Sequence, residues 1–165
     1  MNLIVAVDKN WGIGTKDNMP WNIPEDMRFF RKMTLNKTIV MGRITFSSFP
    51  KQQPLKNRQN IILTRDISFS VKGAIVVNGI KSLLEYVNDI NSDDVFIIGG
   101  QSIYQTFEKY CKKAYVTKID NEYEVDTYFP NLDLLDHWKV NKIHPTKYTE
   151  DGTAFTVYEY INTLI

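Results

Sequence analysis

Chemistry in this chain concentrates between Gly12 and Thr34. A glycine-bearing turn, Gly12-Ile13-Gly14, is followed by Met19-Pro20-Trp21 and then by two carboxylates, Glu25 and Asp26. Pro24 suits the first turn of a helix, so both acids fall where the helix dipole favours a negative charge. A carboxylate held there can accept two parallel N–H bonds in a fixed plane. Spacing does not choose between the two acids, because Asp26 stacks with Phe30 at i+4 and Glu25 with Phe29. Each also has a plain reading as a helix-start charge facing solvent. Trp21, taken alone, reads as an aromatic plug on the core.

Other enzymologies fail on their motifs. Gly12-Ile13-Gly14 begins like a dinucleotide fingerprint, but Asp17 stands at the third glycine position. No glycine is followed by Lys and then Ser or Thr, so there is no P-loop, and neither HExxH nor CxxC occurs. Asn36-Lys37-Thr38 matches the glycosylation triplet and carries no weight without a secretion signal.

The elements that must position these residues are short and apolar. Leu3–Val7, Thr38–Met41, Asn60–Thr64, Ala74–Val77 and Val95–Ile98 are rich in Val and Ile, as strands covered on both faces are. Helical stripes alternate with them: Ile23, Met27 and Phe30; Ile80, Leu83, Leu84 and Val87; Ile103, Tyr104 and Phe107. That order predicts an α/β fold with a mostly parallel central sheet and helices on both faces. The C-terminal end differs. Trp138–Ile143 and Ala154–Ile161 read as strands with no helix between them, and Glu150-Asp151-Gly152 reads as the turn of an antiparallel hairpin. Phe49 to Asn57, with Pro50 and Pro54, reads as a surface loop.

With 165 residues, 43% hydrophobic and 24% charged, the chain suits one domain, residues 1–165, and excludes disorder. Lys plus Arg is 20 against 19 for Asp plus Glu, so no overall field argues for nucleic acid or an anionic membrane. Cys111 is the single cysteine and His137 and His144 the only histidines, which excludes disulfides and Cys- or His-rich metal cages. No apolar run approaches the roughly 20 residues of a membrane span. The first residues lack signal-peptide grammar. The expectation is a cytoplasmic protein with no metal, and a monomer by default.

Along essentially its whole length the sequence resembles the dihydrofolate reductase family. The spacing Gly12-Ile13-Gly14-x4-Met19-Pro20-Trp21-x4-Asp26-x3-Phe30-x3-Thr34 matches that family's signature. Further blocks follow in the family's order: Met41-Gly42-Arg43-x-Thr45-Phe46, Pro54-Leu55-x-x-Arg58, Ile62-Leu63-Thr64-Arg65, Ile98-Gly99-Gly100-x-x-Ile103-Tyr104 and Asp126-Thr127-x-Phe129-Pro130.

The resemblance implies NADPH-dependent reduction of 7,8-dihydrofolate to tetrahydrofolate, with hydride passing from nicotinamide C4 to pterin C6 and a proton reaching N5. It implies that Asp26 holds the pterin, bonded by Thr117, in a pocket lined by Ile4, Ala6, Met27, Phe30, Phe49, Leu55 and Ile98. Trp21 would position a water, Met19 would belong to a loop closing over the nicotinamide, and Arg58 would clamp the α-carboxylate of the substrate's glutamate tail. On the cofactor side, Gly42-Arg43-Ile44-Thr45 and Gly99-Gly100-Gln101-Ser102 would each start a helix after a strand and receive the pyrophosphate. The glycine pair would be joined by a cis peptide. Arg43, Thr64 and Arg65 would meet the 2′-phosphate; Ala6, Ile13 and Gly14 would flank the nicotinamide; Thr127 would support it. Leu63, Ile98, Ile103 and Tyr104 complete the cofactor set. Ile44 and Asn78 stand where the family often carries basic residues. Antifolate inhibitors are further implied ligands. Two rivals remain: a reductase of the same fold acting on a riboflavin precursor, which should lack the combined Met19-Pro20-Trp21, Asp26 and Arg58 set, and a non-catalytic nucleotide-binding module, which needs no carboxylate under Phe30.

Overall fold

The computed structural model describes residues 1–15 and 18–165; Asp17, at the missing third-glycine position, lies outside the described residues. The strands are β1 (Asn2–Val7), β2 (Gly12–Gly14), β3 (Thr38–Gly42), β4 (Gln59–Leu63), β5 (Ala74–Val77), β6 (Val95–Gly99), β7 (Lys113–Ile119), β8 (Thr127–Tyr128), β9 (Trp138–Ile143), β10 (Lys147–Tyr148) and β11 (Ala154–Asn162). The helices are α1 (Pro24–Thr34), α2 (Arg43–Ser47), α3 (Ile80–Val87) and α4 (Gln101–Phe107). Nine strands form one sheet in the order β10-β11-β7-β1-β6-β3-β4-β5, with β9 also on β11, while β2 and β8 pair separately. From β7 to β5 every neighbour is parallel. β11 runs antiparallel to β7.

Alternation along each buried strand sends side chains to two cores, which is why the apolar runs are unbroken in sequence. Ile4, Ile39, Met41, Ile62 and Phe96 pack on one face with Phe46 of α2 and Phe29, Phe30 and Met33 of α1. Leu3, Val7, Val40, Ile61 and Ile97 pack on the other with Leu83 and Val87 of α3 and Ile103, Tyr104 and Phe107 of α4. The helices thus cover both faces, as the sequence predicts. The C-terminal hairpin is present too. Its turn joins β10 to β11, with Thr149 N–H donating to the Thr153 carbonyl over 2.9 Å, and β9 continues along the same side of β11.

The sheet is incomplete where it matters. β1 pairs with β6 only at Asn2↔Phe96 and Leu3↔Ile97, although it pairs with β7 along its whole length. β6 shifts register against β3 between Val40↔Ile97 and Met41↔Gly99, and its Gly99–Gly100 peptide is cis. From Ile4 onward β1 and β6 therefore part at their C-terminal ends, and the Ile4 carbonyl accepts instead from the buried Tyr104 hydroxyl over 2.7 Å.

Candidate active site

The gap between β1 and β6 opens into a cleft of about 1100 Å³ that runs across the C-terminal ends of β3, β4 and β5. Open parallel sheets bind ligands at this position. The cleft is larger than the roughly 300–1,000 Å³ usual for a single small-molecule site.

One end is apolar with a single acid. Ile4, Ala6, Met27, Phe29, Phe30, Phe49, Leu55 and Ile98 line it around Asp26, and Asp26 is the only carboxylate among the described lining residues. Thr117, on β7 beside Ala6, donates from Oγ1 to Asp26 Oδ1 over 2.6 Å. Burial pushes the Asp26 carboxyl above its ordinary value, and the Thr117 bond partly opposes that rise. Glu25 points away, 3.5 Å from Lys147 on the surface. The tertiary fold thereby separates two acids that helical spacing leaves equivalent. Met27, part of the apolar stripe in sequence, is 48% exposed because it forms an open wall of the cleft rather than core.

The other end is cationic and rich in donors. Gly42 and Gly100 begin α2 and α4 with no side chain capping their backbone N–H groups. Arg43, Ile44, Thr45, Leu63, Thr64, Arg65, Gly99, Gln101, Ser102, Ile103, Tyr104 and Thr127 line the cleft with them, as does Ile13 near its middle. The Asn78 amide donates to the carbonyls of Thr64 and Asp66. Hydroxyls, uncapped N–H groups and two guanidinium groups form a donor set suited to a phosphorylated dinucleotide.

Three residues singled out in sequence stand back from this surface. Gly14 lies under it, with φ +140° and its carbonyl accepting from the Thr127 hydroxyl over 2.7 Å. Trp21 is buried against Ile23, Ile119, Phe155 and Tyr123, yet no described group accepts from its indole N–H. Arg58 reaches Thr34 Oγ1 over 3.3 Å and the Lys56 carbonyl over 3.0 Å at the end of α1. Met19 lines the cleft and is 44% exposed.

Sequence reasoning missed Gly79 and Ile80, which line the cationic end at the start of α3. Their signal is a third strand-glycine-helix junction after β5, like those at Gly42 and Gly100. Val5, Thr15, Asn18, Ser48, Pro50 and Thr106 also line the cleft. They carry no motif of their own.

The sequence profile of the family described as dihydrofolate reductase matches residues 1–162. The chain is 36% identical over 161 residues to the dihydrofolate reductase of Bacillus subtilis (strain 168), covering 98% of this chain and 92% of that protein. It is 35% identical over 157 residues to that of Buchnera aphidicola subsp. Acyrthosiphon pisum, covering 90% and 95%. Among solved structures, a dihydrofolate reductase from Enterococcus faecalis, complexed with NADP(H) and RAB-propyl, superimposes with a TM-score of 0.88 at 29% identity, over 98% of this chain and 95% of that one.

Proposed function

Because the chain belongs to the dihydrofolate reductase family, we propose that its two-ended cleft divides between a pterin at Asp26 and NADPH along the strand ends. The protein is an NADPH-dependent oxidoreductase that reduces dihydrofolate to tetrahydrofolate. The observation that carries the division of roles is Asp26, a lone carboxylate in an apolar wall, fixed by Thr117.

Asp26 supplies two acceptors in one plane for the N3 and 2-amino N–H groups of the pterin. Its raised proton affinity keeps a proton available at higher pH for N5. Phe30, Phe49, Leu55 and Ile98 exclude water and orient the ring, and Ile4 and Ala6 close its floor. Arg58 engages the substrate's α-carboxylate, Trp21 would position a water through an N–H that no described group accepts, and Met19 closes the middle of the cleft. NADPH, when bound, supplies the hydride that pterin C6 receives. Gly42, Thr45, Gly100, Gln101 and Ser102 would hold its pyrophosphate. Arg43, Thr64 and Arg65 would hold its 2′-phosphate. Ile13, Gly14 and Thr127 would sit beside the nicotinamide. Separation of acid from cations would orient both molecules.

A same-fold reductase for a riboflavin precursor has no use for Asp26 and Arg58 together, and that reading is not favoured. The protein would work as a single-domain cytoplasmic monomer, a reading that its buried free Cys111 fits. Antifolates would compete at the Asp26 end. The test is oxidation of NADPH with dihydrofolate, followed by absorbance, beside the same assay with the riboflavin precursor. Turnover with the precursor alone would refute the assignment of the Asp26 end.

A further inference from the structure

Asp66, just beyond the cleft's cationic end, is an exposed carboxylate with both oxygens bonded. Its Oδ1 accepts from the Ser68 N–H over 2.9 Å and the Ser68 hydroxyl over 2.6 Å, and its Oδ2 accepts from Arg43 Nη1 over 2.9 Å. Its own N–H donates to Thr64 Oγ1 over 3.2 Å. The Ser68 bonds, and then Arg43, keep the Asp66 carboxyl below its ordinary range, so it is ionised at neutral pH. Arg43 has a second contact besides that carboxylate. Its guanidinium also lies 4.2 Å from the centroid of the Phe69 ring.

We propose that Asp66 is a specificity-determining residue, a fixed negative charge that restrains the cleft's affinity for a 2′-phosphate. The proposal rests on the placing of Arg43, Thr64 and Arg65 at that phosphate. Two cations line the cleft there and one anion stands behind Arg43, so the attraction for the incoming group is weaker than two arginines alone would give. Asp66 also occupies one of Arg43's donors and leaves the others free. A ligand lacking the 2′-phosphate brings little charge to this point and is indifferent to Asp66. The residue thus narrows the gap between 2′-phosphorylated and unphosphorylated dinucleotides and speeds release of the former.

The test is calorimetric binding of 2′,5′-ADP and of 5′-ADP to the whole protein across a range of salt concentrations. Asp66→Asn removes the charge and keeps one acceptor oxygen, enough for Ser68 but not for Arg43 as well, so Arg43 keeps its contact with the Phe69 ring alone. The variant should lower the Kd for 2′,5′-ADP about three- to tenfold, the Coulomb range for unit charges some ångströms apart at a solvated surface. Its salt dependence should steepen, and the Kd for 5′-ADP should stay unchanged. Arg65→Ala should weaken 2′,5′-ADP alone. If Arg65→Ala and Arg43→Ala affect both ligands equally, the phosphate subsite is misplaced and the proposal falls with it. If the arginines discriminate while Asp66→Asn leaves 2′,5′-ADP unchanged or weaker, the subsite stands and Asp66 is only a tether. Equal tightening of both ligands would likewise overturn the proposal.

Discussion

The Thr117 hydroxyl donates to Asp26 Oδ1 over 2.6 Å and so ties the first turn of α1 to the middle of β7, positions 91 residues apart in the chain. The bond takes one lone pair of Oδ1 and leaves the other, with Oδ2, free to accept from a ligand. It also opposes the burial that pushes the Asp26 carboxyl up. One neighbour therefore bears on both the position and the proton affinity of the same acid, while burial sets the direction of the shift.

Asp26→Asn separates function from stability. With the folded-state value raised, the native protein holds a proton on Asp26 that the unfolded chain has already released, from about pH 3.9 up to the folded value. Stability from this group is thus lost as pH rises through that window, and the penalty is complete above it. The asparagine variant should be more stable than wild type at pH 7, with the advantage vanishing in acid. Its turnover should fall by about 10²-fold or more, the usual scale for losing an acid–base group. Urea unfolding and initial rates across pH check both. Lower stability at neutral pH with near-normal turnover would make Asp26 a simple helix-start charge.

Thr117→Val removes the donor and keeps the shape. Asp26 then loses the one bond that favours its charged form, so the alkaline limb of the pH–rate profile should move to higher pH. An unmet buried acceptor costs about 1–3 kcal/mol, so the variant should also be less stable by that order. Thr117→Ser restores a hydroxyl and should return the profile. A profile unmoved by valine would show that Thr117 serves packing alone.

Much of this fold is legible because β1, β3, β4 and β6 are apolar on both faces and read as continuous runs. β7 is not. Its Lys113, Tyr115, Thr117 and Lys118 break the run, although it lies between β1 and β11 and carries the partner of Asp26. Nor does local sequence distinguish Asp26 from Glu25. Both lie in one turn of α1, and only the packing of that helix against Ile4, Met41 and Phe96 decides which one faces inward. The junctions at Gly42 and Gly100 are visible as glycines after strands. Gly79 is a weaker signal, because Asn78 and Ile80 beside it match no phosphate pattern.

Arg58 stands at the end of α1, with its Nη1 on Thr34 and its Nε on the Lys56 carbonyl. Those two bonds aim its fork and leave further donors for a carboxylate. A hydrogen bond to a charged group contributes about 1.5–3 kcal/mol, so Arg58→Ala should raise KM for dihydrofolate about tenfold or more. Turnover at saturation should change little. Arg58→Lys should not rescue KM, because an ammonium cannot make the paired contact. A reduced pterin without the glutamate tail should show no difference between the proteins. Equal losses on both substrates would place Arg58 in the structure of the loop instead.

Trp21 decides between a plug and a working residue. The residue is 9% exposed and its ring centroid lies 5.2 Å from that of Tyr123, as a plug would. A plug has no reason to carry a buried N–H with no acceptor among the described residues, and leaving such a group unmet costs about 1–3 kcal/mol. Trp21→Phe removes that donor together with part of the ring volume. The two effects oppose each other, so stability should stay within about 1 kcal/mol of wild type. Turnover should nevertheless fall by about tenfold or more, on the scale of one lost hydrogen bond in the reacting complex. Thermal unfolding and single-turnover rates, measured side by side, separate the outcomes. A clear loss of stability with turnover intact would make Trp21 core and nothing else, and the indole N–H would then be an unmet donor that the fold tolerates for the sake of the ring.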